Sequence, residues 1–360
     1  MKKLKVLHVS ETFITGVYTY IKTICAFTAK HPRLETTIIY SPNREGTADL
    51  DFDQDFDASV TLIPLSMQRE VSPLEDYQSL QALKKLIRSI QPDVIHLHSS
   101  KAGILGRVAS RVCPSARVYY TPNGYAFLRQ DVSQLKRKLF YTFEKYTAKL
   151  YGGTTIACGD TEFYHAKKIG KSVMVRNGID LNELQPLKTS LPVRLKTVVT
   201  LGRISAQKNP ELFNAIAQKF PELDFVWIGD GELRHLLKAT NIRVTGWLNR
   251  EDALSQLAMH DVYLQTSLWE GLPFTIIEAM ALNKPVLATD VIGNKDAVEH
   301  NKNGFLCKTL EDFEKSINQI LENPELLKIF GEQSKTIAQE KFDRDKNFKD
   351  LVQIYLDQDQ

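Results

Sequence analysis

The sequence predicts an α/β fold made of two Rossmann-like domains, each with a parallel sheet between helices. Short apolar runs rich in β-branched residues alternate with longer segments of helical period, which is the pattern of a parallel sheet covered on both faces. After a polar stretch at 182–192 the same pattern starts again. The chain has 360 residues, more than one hydrophobic core usually supports, so we expect two domains.

The predicted strands form two groups, one on each side of the polar stretch. In the first group we expect strands near 4–9, 36–40, 60–63, 94–98, 117–121, 154–158 and 173–175. In the second group we expect strands near 197–201, 224–228, 242–244, 262–265 and 285–288. We predict an N-terminal domain over 1–185 and a C-terminal domain over 186–343. The period of the last helix does not show where it docks; we expect residues 344–360 to pack back on the N-terminal domain.

Composition excludes several classes of protein. Apolar residues make up 43% and charged residues 25% of the chain, as in ordinary globular proteins. The formal charge of +3 is too small to indicate a nucleic-acid partner, although it permits a membrane surface. Four cysteines without a CxxC pair favour buried thiols in a reducing compartment. Without the apolar core of a signal peptide or a run of roughly 18 apolar residues, the chain is expected to be cytoplasmic, either soluble or peripheral on the inner face of the membrane.

Five aspartates alternate along the run DLDFDQDFD at 49–57, where a metal-binding DxD motif could be suspected. A DxD site normally ends a buried strand, whereas alternating carboxylates repel one another and favour a solvated loop. A calcium loop of the EF-hand kind would need a glycine that this run lacks. We interpret the run as a loop and predict no metal site.

The most informative segment is a strand, a tight turn and a helix start between 262 and 278. Glu270 and Gly271 lie on the turn, and Pro273 suits the first turn of the following helix. Free backbone N–H groups and the positive end of the helix dipole can anchor a phosphate or a hydroxyl there. The Glu270 carboxylate can accept hydrogen bonds from sugar hydroxyls, and Glu278, further along the helix, can bind a ribose diol.

This segment resembles family 4 of the retaining glycosyltransferases, whose GT-B fold has two Rossmann-like domains with parallel sheets facing an interdomain cleft. The resemblance rests on the motif Glu-x7-Glu, here Glu270 and Glu278, within the run EGLPFTIIEAMALNKPVLATDVIGNKDAV. It extends over nearly the whole chain and is strongest at 198–306. By this resemblance, Glu270 would touch the donor sugar and Glu278 the nucleotide ribose. The backbone of Phe274 and Thr275 would contact the diphosphate.

Two cations, Arg203 and Lys208, follow the first strand of the second domain in the run TLGRISAQKN. Open α/β sheets bind ligands at that end of the strands. The two residues resemble the family's pyrophosphate-binding pair, which neutralises the leaving nucleoside diphosphate without a metal. The resemblance therefore implies a catalytic role for both cations together with Glu270. The alternative is a pair of solvated surface cations.

Two further loops of the second domain are expected to contact the nucleotide. The run WIGDGEL follows a strand, and its Gly229 matches a GDG segment of the family, although a Gly-x-Gly pair also suits a plain turn. The run VTGWL resembles the loop whose backbone reads the donor base, which implies contacts from Gly246, Trp247 and Leu248. The sequence does not name the base; uracil is the commonest in the family, so a UDP-sugar is expected.

The first domain departs from the family's pattern at two positions. The loop after the first strand often has two adjacent glycines, and here only Gly16 is present, which still lets a donor phosphate approach the backbone. In the run YTPNGYAF many members have histidine where this chain has Asn123, which the resemblance places at the reacting sugar. Asparagine cannot titrate near neutral pH. If no titrating group is needed there, the donor's own phosphate takes the acceptor proton.

Two features of the first domain have competing interpretations. His96 and His98 point to one face of the sheet, but metal ligation needs a third partner, and the alternative is a structural or acceptor-lining role. The run HSSKAG, which begins at His98, is frequent in relatives that act on lipid-linked acceptors. The helix at 134–146 mixes basic residues with large aromatics, so it is either a helix that rests on an anionic bilayer or an ordinary core helix with a charged outer face.

The resemblance implies an enzyme that moves a hexose or N-acetylhexosamine, with retention and without a metal or cofactor, from a nucleotide-sugar co-substrate to an acceptor. The N-terminal domain would hold the acceptor, a glycan or a lipid-linked glycan of surface polysaccharide synthesis. Two alternatives stay open: a GT-B-fold sugar-nucleotide 2-epimerase, which would convert donor without acceptor, and an inactive sugar-nucleotide-binding protein. A glycosidase that uses Glu270 and Glu278 is disfavoured because it explains neither cation.

Overall fold

The protein forms two α/β units, which confirms the predicted fold class. The computed structural model describes residues 3–42, 51–68, 71–129, 132–185, 187 and 193–357. The first unit comprises 1–128, 132–177 and 345–360. The second unit comprises 129–131 and 178–344.

The first unit is built on a parallel sheet of seven strands in the order β3-β2-β1-β4-β5-β6-β7. Its strands are β1 (Leu4–Ser10), β2 (Leu34–Tyr40), β3 (Thr61–Pro64), β4 (Val94–His98), β5 (Arg117–Thr121), β6 (Thr154–Ala157) and β7 (Ser172–Met174). Its first six helices are α1 (Thr15–Thr28), α2 (Phe52–Asp55), α3 (Pro73–Ile90), α4 (Ser100–Ser110), α5 (Gln134–Tyr151) and α6 (Asp160–Ile169). All seven strands lie within a residue or two of the runs predicted from apolar, β-branched composition.

The second unit has a parallel sheet of six strands in the order β10-β9-β8-β11-β12-β13. Its strands are β8 (Thr197–Leu201), β9 (Asp224–Ile228), β10 (Ile242–Val244), β11 (Val262–Gln265), β12 (Val286–Thr289) and β13 (Gly304–Cys307). Its helices are α7 (Leu181–Leu184), α8 (Pro210–Lys219), α9 (Arg250–Ala258), α10 (Phe274–Ala281), α11 (Asn294–Ala297), α12 (Leu310–Glu322) and α13 (Glu325–Lys341). Strand β13 was not predicted from the sequence, because its apolar run is only three residues long. At its start a Cβ on Gly304 would lie 1.8 Å from the carbonyl oxygen of Val286 in β12, so the pairing needs glycine.

The last helix, α14 (Arg344–Leu356), lies in the first unit from Asp345 onward. The ring of Phe348 meets Tyr20 edge-on, with centroids 6.0 Å apart. The Tyr355 hydroxyl is hydrogen-bonded to Nδ1 of His96, and the guanidinium of Arg117 donates to the carbonyl oxygen of Tyr355. The chain therefore leaves the first unit after Asn177 and returns to it for its final helix.

The second unit begins at Gly178, whereas the sequence analysis places the boundary between residues 185 and 186. Residue 186 is outside the described residues. Ile179 forms a parallel bridge with Asp343, close to the point where the chain returns to the first unit. A Cβ on Gly178 would lie 2.5 Å from Cα of Arg344, so the close crossing of the outgoing and returning segments requires a glycine. The short helix α7 belongs with the second unit, where it packs beside α10.

Part of the aspartate run forms a helix, so its interpretation as a loop is wrong for residues 52–55. Asp49 is outside the described residues. The carboxylate of Asp51 caps the one-turn helix α2 by accepting from the N–H of Gln54 at 3.1 Å. The carboxylate of Asp55 is paired with the ammonium group of Lys22 and the hydroxyl of Tyr18. These partners offset the repulsion between carboxylates on which the loop interpretation depended.

Two further features concern the apolar content of the helices and the state of the cysteines. Among the described helices, none is long and apolar enough to cross a bilayer. All four cysteines are buried free thiols: Cys25, Cys113, Cys158 and Cys307. Burial raises the pKa of the Cys307 thiol to about 11, so it stays protonated at neutral pH.

Candidate functional site

The loops that follow the strands of the second sheet pack against one another. Gly202 follows β8 and Gly229 follows β9, and a Cβ on Gly229 would lie 2.3 Å from the carbonyl oxygen of Gly202. Gly229 also forms an antiparallel bridge with Gly246, which follows β10. After β12, a Cβ on Gly293 would lie 2.7 Å from Cβ of Glu270. All four glycines have a positive φ, so side chains would disturb both the backbone and the contacts that join these loops.

Glu270 lies at the centre of a polar network after β11, and its side chain is 8% exposed. Its Oε1 accepts hydrogen bonds from Lys208 Nζ at 2.8 Å, Gln265 Nε2 at 2.9 Å and Ser267 Oγ at 2.7 Å. Its Oε2 accepts one hydrogen bond, from Gln207 Nε2 at 3.2 Å. A carboxylate oxygen has two lone pairs, so Oε1 is fully used by the protein. Oε2 keeps acceptor capacity for a hydroxyl of a ligand.

The two predicted cations both lie in the loop after β8 but have different partners. Lys208 joins the Glu270 network, and its carbonyl oxygen accepts from the Thr266 hydroxyl at 2.7 Å, which fixes the backbone of this turn. The Nε of Arg203 donates to Glu232 Oε2 at 3.1 Å, where both side chains are partly exposed. Partly exposed ion pairs contribute little net free energy, so an anionic ligand can compete for the guanidinium of Arg203.

Helix α10 begins directly after the turn that carries Glu270 and Gly271. The N-cap residue is Pro273, which offers no side-chain acceptor to the first turn of the helix. The N–H groups of Phe274 and Thr275 belong to this turn and have no acceptor within the helix. Together with the helix dipole they can donate to an anion at the same edge of the sheet as Lys208.

Glu278 lies inside α10, is buried, and belongs to a separate ion cluster. Its Oε1 accepts from Arg250 Nη1 at 2.7 Å, and the same guanidinium donates to both carboxylate oxygens of Glu183, at 2.9 and 3.1 Å. Burial lowers the pKa of Arg250, but the charges and hydrogen bonds of Glu278 and Glu183 raise it more, so the pKa lies above its ordinary value. Arg250 thus fixes one oxygen of Glu278 and leaves the other as an acceptor.

The loop after β10 presents two exposed apolar side chains next to a glycine. Thr245 Oγ1 accepts from the N–H of Gly229 at 3.1 Å, which ties this loop to the loop after β9. Gly246 follows with a φ of 78°. The side chains of Trp247 and Leu248 are then exposed, Trp247 by about two thirds of its area. A flat indole at this edge is accessible to a ligand bound in the second unit.

Gly16 lies in the first unit, in the first turn of α1. Its backbone does not have the positive φ that favours glycine, and a Cβ built on it would meet no atom within 4 Å. Neither the backbone conformation nor the packing of the described residues therefore requires a glycine at this position.

Asn123 lies at the turn after β5 with a φ of 53°, and Gly124 follows with a φ of 96°. Asparagine tolerates this left-handed conformation better than most residues, which is a structural reason for its presence here. The N–H of Gly124 donates to Oε1 of Glu162 at 2.9 Å and fixes the turn. The Nδ2 of Asn123 is buried and has no hydrogen-bond partner among the described residues, so it can donate to a ligand.

A third histidine, His8 on β1, joins His96 and His98 on β4, and their ring nitrogens lie within 4.8 Å of one another. His8 Nδ1 and His98 Nε2 are hydrogen-bonded at 2.9 Å, and the rings of these residues are stacked. His96 Nε2 is hydrogen-bonded to Thr121 Oγ1 at 2.7 Å. Burial lowers the pKa of all three, that of His8 to about 3. Since none of the three is exposed, the structural interpretation is favoured over an acceptor-lining role.

Apart from Lys208, the residues that hold the two glutamates were not predicted from the sequence. Gln265 could have been found because it is a polar residue at the end of a predicted strand. Gln207 could have been found because it is a polar residue between the two predicted cations. Arg250 carried no such signal, since it is remote in sequence from Glu278 and reaches it only through the packing of α9 beside α10. The side-chain hydrogen bonds of Glu270 and Glu278 therefore come from three separate segments of the second unit: 207–208, 265–267 and Arg250.

Two family models match the chain. The one described as "Glycosyl transferases group 1" matches residues 183–337, and the one described as "Glycosyl transferase 4-like" matches residues 5–158. Together they cover most of both units. The match to the second model falls within the first unit, where the sequence motifs were weakest.

Individual relatives agree with the family models. The chain is 29% identical over 324 residues to the Escherichia coli "UDP-Gal:alpha-D-GlcNAc-diphosphoundecaprenol alpha-1,3-galactosyltransferase", with 80% of this chain and 81% of the relative covered. Among solved structures, Anabaena HepE in complex with UDP-glucose has a TM-score of 0.76 at 20% identity, covering 98% of this chain and 99% of its own. Sucrose-phosphate synthase from Thermosynechococcus elongatus has a TM-score of 0.80 at 16% identity, covering 98% of both chains. The chain is thus a member of the family 4 type of glycosyltransferases, the glycosyl transferases of group 1 with the GT-B fold.

Proposed function

We propose that this glycosyltransferase moves a hexose or N-acetylhexosamine from a UDP-sugar to a lipid-linked glycan acceptor, with retention of the anomeric configuration. The observation that carries the proposal is the contact between Lys208 and Glu270 at the carboxyl ends of β8 and β11. It places a cation for a leaving phosphate beside a carboxylate that has one oxygen available for a sugar hydroxyl.

The second unit supplies most of the contacts that we assign to the donor. Arg203, Lys208 and the N–H groups at the start of α10 would bind the diphosphate. The free oxygen of Glu278 would accept from the ribose hydroxyls, because Arg250 holds the other oxygen. Gly229 and the loop at 246–248 would contact the base, with Trp247 beside it. In the first unit, the backbone at Gly16 would approach the phosphate.

The same residues account for bond cleavage without a metal or a cofactor. The bond between the anomeric carbon and the diphosphate oxygen breaks, and its electron pair leaves with UDP. Arg203 and Lys208 would stabilise the negative charge that develops on this leaving group. The acceptor oxygen bonds to the anomeric carbon on the same face, and its proton passes to an oxygen of the departing phosphate. Asn123 takes no part as a base; its Nδ2 would hydrogen-bond the reacting sugar.

The name of one relative and the ligand of one similar solved structure support the proposed donor and acceptor. The name of the Escherichia coli relative specifies UDP-galactose as donor and a GlcNAc-diphosphoundecaprenol as acceptor, and HepE was solved with UDP-glucose. We assign acceptor binding to the first unit and place the reaction on the cytoplasmic side of a membrane, in the synthesis of a surface polysaccharide.

The decisive experiment replaces Glu270 by Gln and follows transfer from UDP-sugars to undecaprenyl-diphosphate-linked GlcNAc. The substitution keeps the size of the side chain but leaves Lys208 without its carboxylate, and transfer should fall by about 10²-fold or more. The melting temperature, measured alongside, shows whether the fold is retained. UDP should raise the melting temperature of the unmodified chain, since a ligand that binds only the native state stabilises it.

Four results would contradict the proposal or part of it. Unimpaired transfer by Glu270→Gln would remove the assigned role of this carboxylate. Conversion of the UDP-sugar in the absence of any acceptor would indicate an epimerase. UDP-dependent stabilisation without transfer or donor hydrolysis would indicate a binding protein. An inverted anomeric product would leave a glycosyltransferase but contradict retention.

A further inference from the structure

Helix α5 exposes its apolar side chains and buries polar ones, which reverses the usual arrangement of a surface helix. Five large apolar residues are between 50% and 78% exposed: Leu135, Leu139, Phe143, Tyr146 and Leu150. At about 100° per residue these five side chains fall within an arc of about 80°, in a stripe about 22 Å long. We call this set the α5 stripe.

The opposite side of α5 explains why the helix does not turn its apolar face inward. Glu144 is buried, accepts from the Tyr120 hydroxyl at 2.7 Å, and lies 3.7 Å from a guanidinium nitrogen of the buried Arg107. The Nε of Arg137 donates to the carbonyl oxygen of Phe127 at 3.0 Å. Turning the helix would leave the buried charge of Arg107 without its carboxylate, which is costly. The stripe is therefore held outward by specific contacts.

The charges beside the α5 stripe all have one sign. Lys138, Lys145 and Lys149 border one side of it and Lys136 the other, and all four are exposed. The only carboxylate of α5 is the buried Glu144. Within the described part of the chain, none of these four lysines forms an ion pair with a carboxylate. The exposed face of α5 is thus apolar along its centre, with three lysines along one edge and one lysine at the other.

We propose that the α5 stripe docks the protein on an anionic lipid bilayer. The apolar side chains would enter the boundary between head groups and acyl chains, and the lysines would reach anionic head groups. Tyr146 and Phe143 suit this interfacial depth. A second copy of the chain fits less well, because two stripes face to face would bring lysines against lysines.

Sedimentation with sucrose-loaded vesicles tests the proposal on the full chain. The unmodified protein should bind phosphatidylcholine vesicles that contain phosphatidylglycerol, bind pure phosphatidylcholine vesicles much less, and lose affinity as salt rises. Replacing Lys138 and Lys145 by Ser should lower the partition coefficient about 25-fold, since each lysine near an anionic surface contributes about fivefold. Replacing Leu139 and Phe143 by Ser should lower it at least about tenfold on the same vesicles.

The matched control replaces Lys328 and Ile329 by Ser on α13 of the second unit, where both side chains are exposed. This variant should bind vesicles as the unmodified chain does. Circular dichroism shows whether each variant is folded, and Phe143→Trp, which keeps an interfacial aromatic, should retain binding. The measurement uses no donor or acceptor, so its outcome does not depend on the proposed reaction.

Several outcomes would overturn the assignment to a lipid surface. The proposal fails if the unmodified protein binds neutral and anionic vesicles equally. It also fails if both α5 variants bind anionic vesicles as well as the unmodified protein does. Equal loss in the α13 control would show a nonspecific effect of the substitutions. A dimer in solution that Leu139→Ser with Phe143→Ser dissociates, without any vesicle binding by the unmodified chain, would assign the stripe to a second copy of the chain.

Discussion

The polar side chains at the strand ends of the two sheets have different environments. In the second unit, charged side chains follow the strands, and Glu270 keeps a free acceptor although four donors hold it. In the first unit, the carboxylate of Glu11 after β1 is buried and accepts from the Ser99 hydroxyl and the N–H of Ala102. The histidines of that sheet are buried as well. The second sheet therefore offers charge to a ligand, whereas the polar groups of the first sheet mainly serve the fold.

The largest effect expected from this difference is acid sensitivity of the first unit. Burial lowers the pKa of His8, His96 and His98 in the folded state, so the unfolded chain binds more protons once the pH falls below about 6.5. Stability present at neutral pH is lost as the pH falls towards the folded values, about 3 for His8. At pH 5 the loss from His8 is about 2 kcal/mol, and His96 and His98 act in the same direction.

Two optical signals can separate the units in this titration. Tryptophan occurs only in the second unit, at 227, 247 and 269, while circular dichroism reports the helices of both units. Acidification should lower the helical signal before it changes tryptophan fluorescence. His98→Gln should reduce the dependence of stability on pH by about one proton. Simultaneous transitions in both signals would contradict the assignment to the first unit.

The next effect concerns charge in the second unit. Lys208→Met should lower kcat about 10²- to 10³-fold, because the variant removes a cation placed for the leaving diphosphate and leaves Glu270 without its ion pair. Steady-state kinetics with a UDP-sugar and acceptor measures this loss. Lys219→Met is the matched control, since Lys219 pairs with Glu314 at the far end of α8 and should keep full activity. If both variants were equally active, Lys208 would have no role in transfer, and the proposed difference between the two sheets would be contradicted.

The smallest effect tests the phosphate contact proposed for the first unit. Gly16→Ala should raise the KM for the donor several-fold, because the added methyl group occupies space assigned to a phosphate. The same change should leave stability unaltered or raise it by about 0.5–1 kcal/mol, since Gly16 is helical and its Cβ position is open. Donor titration and thermal unfolding measure the two quantities. An unchanged KM would assign phosphate binding entirely to the second unit.

The sequence predicted those parts of the protein that depend on local pattern. Twelve strands followed from apolar runs, and Glu270 with Lys208 followed from motifs at strand ends. Strand β13 was missed because three apolar residues carry too little periodicity. The link between Arg250 and Glu278 and the third histidine were missed because they depend on which strands and helices become neighbours. The outward apolar face of α5 depends on a buried ion pair that no helical period reveals.

The return of the chain to the first unit for α14 has a consequence for biosynthesis. A ribosome synthesises residues in order, so α14 is made only after the second unit. Until then, the hydrophobic surface of the first unit that packs against Phe348 and Tyr355 stays exposed. The amino-terminal half cannot complete its interior while it is being synthesised. Attempts to express that half alone should fail unless the final helix is fused to it, as in a circular permutation.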